Sequence, residues 1–199
     1  LLDVETSPNT VFTWGLFKQT ISIDKIIDSS EVLCIAYKWL GEKDTFYLSK
    51  HNKKFMLRSI HKMLEEADAV VTYNGNSFDL PVLNKELLLE GFTPPAPYKS
   101  IDLCKVVQKR FRFPSSKLEY VCGALGLETK VKHEGFKLWV QCMAGDEAAW
   151  KRMQRYNRQD VRILEQLYQK LKPWVPSHPN HGTFDDLTCC PNCGSTKLQ

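Results

Sequence analysis

Asp3 and Glu5, in the run Leu1-Leu2-Asp3-Val4-Glu5-Thr6-Ser7-Pro8, are the first residues of the chain whose types and spacing could do chemistry. In an extended strand, residues two apart share a face. The two carboxylates therefore point one way while Leu2 and Val4 point the other. Neighbouring carboxylates repel each other, and taking them out of water adds a further cost. A cation would neutralise both, and hard divalent ions such as Mg²⁺ and Mn²⁺ favour carboxylate oxygens. A solvated acidic pair on an edge strand is the alternative, and only further acids downstream can decide between the two.

Two more acids arrive in suggestive company. Asp79 closes Tyr73-Asn74-Gly75-Asn76-Ser77-Phe78 and opens Leu80-Pro81, where a strand and loop pass into a helix. Strand ends and helix starts are where α/β sheets gather their sites, although Asp79 alone also reads as an N-cap. Asp160 ends Tyr156-Asn157-Arg158-Gln159-Asp160. Tyr156 and Asp160 are four residues apart and share a helix face, within a stripe formed by Met153, Leu164 and Leu167. A carboxylate there is costly unless it is paired or metal-bound; a Tyr–Asp or Asp–Arg surface pair is the alternative.

Taken together, D-x-E, N-x-x-x-F-D and Y-x-x-x-D resemble the motifs of the DEDD family of 3′-to-5′ exonucleases, in the subclass with a tyrosine in its third motif. The second motif, Tyr73-Asn74-x-x-x-Phe78-Asp79-x-Pro81, is similar to that of the proofreading exonuclease domain of family B DNA polymerases. So is Ser116-Lys117-Leu118 before a helix ending in Leu125-Gly126. The likeness covers most of residues 1–172. It implies a ribonuclease H-like fold and two Mg²⁺ or Mn²⁺ ions. Asp3, Glu5 and Asp160 would hold the ion that acidifies the attacking water. Asp3 would bridge to a second ion, which Asp79 reaches directly or through water. Tyr156 would orient the water; with an ordinary pKa of about 10 it is a poor base at neutral pH.

The implied reaction releases nucleoside 5′-monophosphates from single-stranded or frayed DNA 3′ ends. RNA is the alternative substrate, and a non-catalytic nucleic-acid-binding module the alternative from another class. A replication or repair protein is an expected partner. For substrate contacts, the resemblance offers Thr6 at the terminal 3′-OH, Asn74 beside the strand, Phe78 on a base and Lys137 or Lys132 on a phosphate. Core packing for Phe78 and simple solvation for the lysines remain open. The basic cluster Lys105, Lys109, Arg110 and Arg112 either tracks a phosphate backbone or is a solvated helix face. Asp102 is either a carboxylate behind the site or a cap.

Bringing residues 3, 79 and 160 together requires a folded layer structure. Strands are expected at the acidic run, over 10–19, over 32–40 and over 45–48, as an antiparallel meander interrupted by a polar excursion over 22–30. A helix follows over 53–67, then a buried strand over 69–73 and a helix over 80–89. The stretch 101–107 is apolar. Ser115 is a candidate N-cap for the next helix, 130–139 reads as basic and irregular, and a long amphipathic helix runs from Asp146 to about Leu171, stopped by Pro173. The order predicts one mixed β-sheet flanked by helices, an α/β fold over 1–173, followed by a small tail over 174–199.

Composition sets the outer limits. The chain has 199 residues, 43% of them hydrophobic and 25% charged, which suits one globular core with a small appendage. A net charge of +4 permits a polyanionic partner without demanding one. No apolar run approaches the roughly 20 residues of a membrane span, so no membrane partner is expected. Leu1 is not an initiator Met, and a preceding leader stays open. Cys34, Cys104, Cys122 and Cys142 sit among apolar neighbours and read as small core residues, which suits the cytoplasm or another reducing compartment. In the tail, Cys190-Pro191-Asn192-Cys193-Gly194 looks like one knuckle of a zinc ribbon for one structural Zn²⁺. Its partners would be cysteines beyond Gln199, or His178 and His181, with Cys189 as a spare; a flexible tail with free thiols is the alternative.

Overall fold

The computed structural model describes residues 1–129, 135–179 and 190. Its elements are β1 (Leu2–Thr6), β2 (Thr10–Val11), β3 (Ile26–Asp28), β4 (Val32–Tyr37), β5 (Phe46–Ser49), α1 (Lys53–Glu66), β6 (Ala69–Thr72), α2 (Asp79–Leu89), β7 (Lys99–Asp102), α3 (Leu103–Arg110), α4 (Leu118–Ala124), α5 (Phe136–Met143) and α6 (Glu147–Leu171). Strand β4, Val-Leu-Cys-Ile-Ala-Tyr, is apolar without alternation, so it needs cover on both faces. It lies between β1 and β5 and is antiparallel to each, with Asp3 opposite Ala36 and Cys34 opposite Ser49. One cover includes Met56, Leu57, Ile60 and Leu64 of α1 with Leu83 of α2, packed with Leu2, Val4 and Ile35. The other comprises Leu138 and Cys142 of α5 and Trp150, Met153 and Tyr156 of α6, packed with Leu33 and Cys34.

Helix α6 is the longest element and borders two cores. The carboxylate of Asp146 caps it, accepting from the Ala148 and Ala149 N–H groups at 2.8 and 3.1 Å. Met153, Tyr156 and Asp160, then Val161, Leu164 and Tyr168, bury one side at helical spacing. Its second half joins Val71, Ile101, Leu103, Val107 and Val121 in a core under β6 and β7. Lys38, just past β4, ion-pairs with Glu165 and ties the sheet to this helix.

Strands β6 and β7 pair in parallel, with Val71 opposite Ile101. The mixed β-sheet expected from sequence is present, with antiparallel and parallel pairs, and among the described residues its hydrogen bonds fall in three pieces: β1-β4-β5, β6-β7 and the ribbon β2-β3. Strand β6 still lies beside β1. The Val4 N–H donates to the Asp79 carboxylate at 2.9 Å, which leaves no donor there for a ladder to β6. The expected strand over 10–19 ends after Val11. Beyond it Phe12, Leu16, Phe17 and a 97% exposed Trp14 meet no sheet that could bury them, so aromatic composition misleads there. The polar stretch 22–30 contributes β3. Helix α5 begins inside the stretch 130–139 expected to be irregular and runs past it to Met143. Ser115 does not cap α4: Lys117 holds the N-cap position, and the Ser115 hydroxyl accepts from the Lys117 N–H at 3.2 Å. Among the described residues no helix is long and apolar enough to cross a membrane.

Candidate active site

Strand β1 delivers Asp3 and Glu5 to the face that looks towards α6, and α6 answers with Asp160. One ligand oxygen from each lies within 4.8 Å of the others. Asp3 and Glu5 are half-buried and Asp160 is buried. Two oxygens on one hard cation, each at about 2.0–2.6 Å, are separated by at most twice that distance. The spacing and the all-oxygen donor set therefore fit a single divalent ion. Three carboxylates so close would repel strongly without a positive charge among them.

The residue that aims Asp3 is Asn157, which the sequence reading missed. It is fully buried, and its Nδ2 donates to Asp3 Oδ2 at 2.6 Å and lies 3.3 Å from the Asp3 carbonyl oxygen. The bond clamps β1 to α6 at the level of the acids. A signal was available: an amide one residue after Tyr156 and three before Asp160, inside an apolar stripe, must find a buried partner.

Asp79 lies outside the three-carboxylate cluster, bonded to the β1 backbone next to Asp3. It is the first residue of α2, with Phe78 in the N-cap position, so the capping alternative does not hold. Its Oδ1 accepts the Val4 N–H at 2.9 Å, directly after Asp3 in the chain. Burial pushes its carboxyl up to about 7. The N–H groups of Val4 and of Asp79 itself pull it down, and the charge of Asp102 pushes it further up.

The loop that places Asp79 is tightly built. Asn74 takes a left-handed φ of 66°, and a Cβ on Gly75 would come within 2.3 Å of Thr72 Oγ1, so only glycine fits. The Asp102 carboxylate accepts from the N–H groups of Asn74 (2.9 Å), Asn76 (3.3 Å), Cys104 (3.0 Å) and Lys105 (3.4 Å). It therefore caps α3 and holds the loop at once. The Tyr73 hydroxyl donates to the Ser116 carbonyl at 2.5 Å, joining the second motif to the segment before α4.

Tyr156 sits one turn before Asp160 on α6. It is 6% exposed, and its ring meets Trp139 of α5 edge-on at 5.9 Å between centroids. Thr6 is half-buried at the end of β1, where the pairing with β4 slips. Asn74 and Phe78 are on the surface; at 40% exposure Phe78 is not a core residue. Lys137 is exposed on α5, while Lys132 lies outside the described residues. Of the zinc candidates, His181, Cys189 and Cys193 also lie outside them, and Cys190 is half-buried. The His178 ring stacks on Tyr168, with Nε2 at 2.5 Å from the Tyr168 hydroxyl and Nδ1 at 2.6 Å from the Pro179 carbonyl. Binding a metal would require His178 to give up one of these contacts. Burial raises the Cys34, Cys104 and Cys142 thiols above their ordinary pKa, that of Cys142 to about 11, as expected of unreactive core cysteines.

An α/β fold whose first strand and last long helix gather carboxylates into one cation-sized cluster defines a ribonuclease H-like protein. The chain belongs to the RNase_H superfamily: the RNase_H_2 family model matches residues 2–172, from β1 to the end of α6. That superfamily points to nuclease activity, and the carboxylate cluster to divalent cations. Comparison with curated proteins finds no match.

Proposed function

We propose that the protein is a metal-dependent 3′-to-5′ exonuclease of the DEDD type with a tyrosine in its third motif. It removes nucleoside 5′-monophosphates from single-stranded or frayed DNA 3′ ends. The observation that carries this reading is the convergence of Asp3, Glu5 and Asp160 within 4.8 Å, from opposite ends of the matched region.

Asp3, Glu5 and Asp160 would hold one Mg²⁺ or Mn²⁺, and Asp3 with Asp79 a second. When bound, such ions acidify a water and neutralise charge on the scissile phosphate and its leaving oxygen. Asn157 would fix the Asp3 carboxylate for this task by donating from Nδ2 to Oδ2. Tyr156, on the same face as Asp160, positions the attacking water through its phenolic proton, while packing against Trp139 holds the ring still. Thr6, Asn74, Phe78 and Lys137 are proposed to contact the strand: Thr6 at the terminal hydroxyl, exposed Phe78 on a base, and Lys137 on a phosphate. Cys190 and Cys193 are proposed as half of a Zn²⁺ site.

The test uses 5′-labelled DNA and RNA oligonucleotides of one sequence, with Mg²⁺, with Mn²⁺ and with chelator. Stepwise shortening from the 3′ end, abolished by chelator and by Asp3→Ala, is expected, faster on DNA. Faster RNA shortening moves the substrate to RNA. Binding with no metal-dependent shortening overturns the catalytic reading in favour of a binding module.

A further inference from the structure

A cavity of about 630 Å³ opens between β7, α3 and the Val175–Pro176 segment, and four cations line it: Lys99, Lys105, Lys109 and Arg110. Among the described residues, five lysines elsewhere find acids. Lys38 pairs with Glu165, Lys50 with Glu31, Lys53 and Lys85 with Glu86, and Lys62 with Glu66. Among the described residues, none of the four cavity cations forms an ion pair. Helix electrostatics accounts for Lys109 and Arg110, which stand in the last turn of α3 where carbonyls welcome cations. It does not account for Lys99, on a strand. Still less does it account for Lys105, in the first turn of α3, where the helix dipole opposes a positive charge. The one acid on the wall, Asp102, is already engaged by four backbone N–H groups.

A single loop joins this cavity to Asp79. Asn76 lines it, and the loop containing Asn76 enters α2 at Asp79. Asp102, on the same wall, is near enough for its charge to act on Asp79. A strand held here lies one loop away from Asp79, the acid proposed to share an ion with Asp3. A free phosphate would not need four cations spread from β7 along two turns of α3, whereas a chain of phosphates would.

We propose that this cavity is a phosphodiester-backbone site, in which Lys99, Lys105, Lys109 and Arg110 take the phosphates of nucleotides several positions from the one lodged in the acidic cleft. The site rests on the nucleic-acid reading above but not on catalysis. It makes affinity depend on strand length and on salt, and leaves the bond-breaking step to the carboxylates.

The test compares the native chain with Lys99→Ala/Lys105→Ala/Lys109→Ala and with the corresponding triple Arg variant. Binding of a labelled oligothymidylate of about 16 nucleotides is titrated in chelator over a range of salt. Each single-strand phosphate contact contributes about 0.7 to the slope of log affinity on log salt. The Ala variant is expected to lose about 2 from that slope, and the Arg variant to keep it. Hydrolysis of a dinucleotide, whose one phosphodiester sits at the carboxylates and leaves none for the cavity, should match the native rate. An unchanged slope, an equal loss on the dinucleotide, or no oligothymidylate binding by the native chain overturns the proposal. If the protein binds with the expected slope but never hydrolyses, the exonuclease reading fails and this site stands.

Discussion

Replacing Asp79 by Asn tests whether this carboxylate is held in place for a cation at an energetic cost. Asn keeps an oxygen to accept the Val4 N–H and removes only the charge. The Asp79 carboxyl rises from an ordinary 3.8 to about 7, chiefly through burial. Because the folded value lies above the unfolded one, the contribution of Asp79 to stability is full below about pH 3.8 and is lost as pH rises to about 7. That gap of roughly three pH units, at about 1.36 kcal/mol each, is on the order of 4 kcal/mol. Urea unfolding in chelator, followed by tryptophan fluorescence from pH 4 to 8, should show the advantage of Asp79→Asn over the native protein growing up to pH 7 and levelling off above it. The other carboxylates are common to both proteins and cancel in the difference. At pH 8, Mn²⁺ at about 100 times its dissociation constant should stabilise the native protein by about 2.7 kcal/mol, and Asp79→Asn by clearly less. Parallel stability profiles across this range would refute the view that Asp79 is ionised against its surroundings. Equal stabilisation of the two by Mn²⁺ would refute its part in cation binding.

The remaining predictions concern the supports of the site. Asn157→Ala should leave a folded protein that needs about 10- to 100-fold more Mg²⁺ for half-maximal hydrolysis, because Asp3 loses the group that aims it; a metal titration of activity reads this. Gly75→Ala should cost about 1–3 kcal/mol and lower activity, since the new Cβ collides with Thr72 and displaces the loop leading to Asp79; thermal unfolding and single-turnover rates measure both. Tyr156→Phe keeps the contact with Trp139 and should change stability by no more than about 1 kcal/mol, while kcat falls by about 10²-fold.

The candidate site was largely legible before the fold, because its chemistry is written in residue types that are costly anywhere else. Asp3 and Glu5 alternate in a strand, and Asp160 interrupts an apolar helical stripe; both patterns are local. The helices expected over 53–67, over 80–89 and from Asp146 to about Leu171 were equally plain, since a 3.6-residue period needs no knowledge of the partner, and each lies within a residue of the observed bounds. The reading of 10–19 as a strand failed for the opposite reason. Phe12, Trp14 and Phe17 have strand-like composition, but strand formation depends on a neighbouring edge and a face to bury, and neither is supplied there. Helix α5 escaped notice because a two-turn helix carries too few apolar positions to reveal a period.

By itself, then, the sequence determined which side chains could hold cations, the α/β order of the elements and the long helix that ends the fold. Only the tertiary structure decided that Asp3, Glu5 and Asp160 share one cluster while Asp79 bonds the β1 backbone at Val4, that Asn157 clamps Asp3, and that Lys99 joins the cations of α3 around one cavity. The physical reason is range. Periodicity and desolvation cost act within a few residues, whereas hydrogen bonds between residues 3 and 157, or 4 and 79, exist only after the chain has closed on itself.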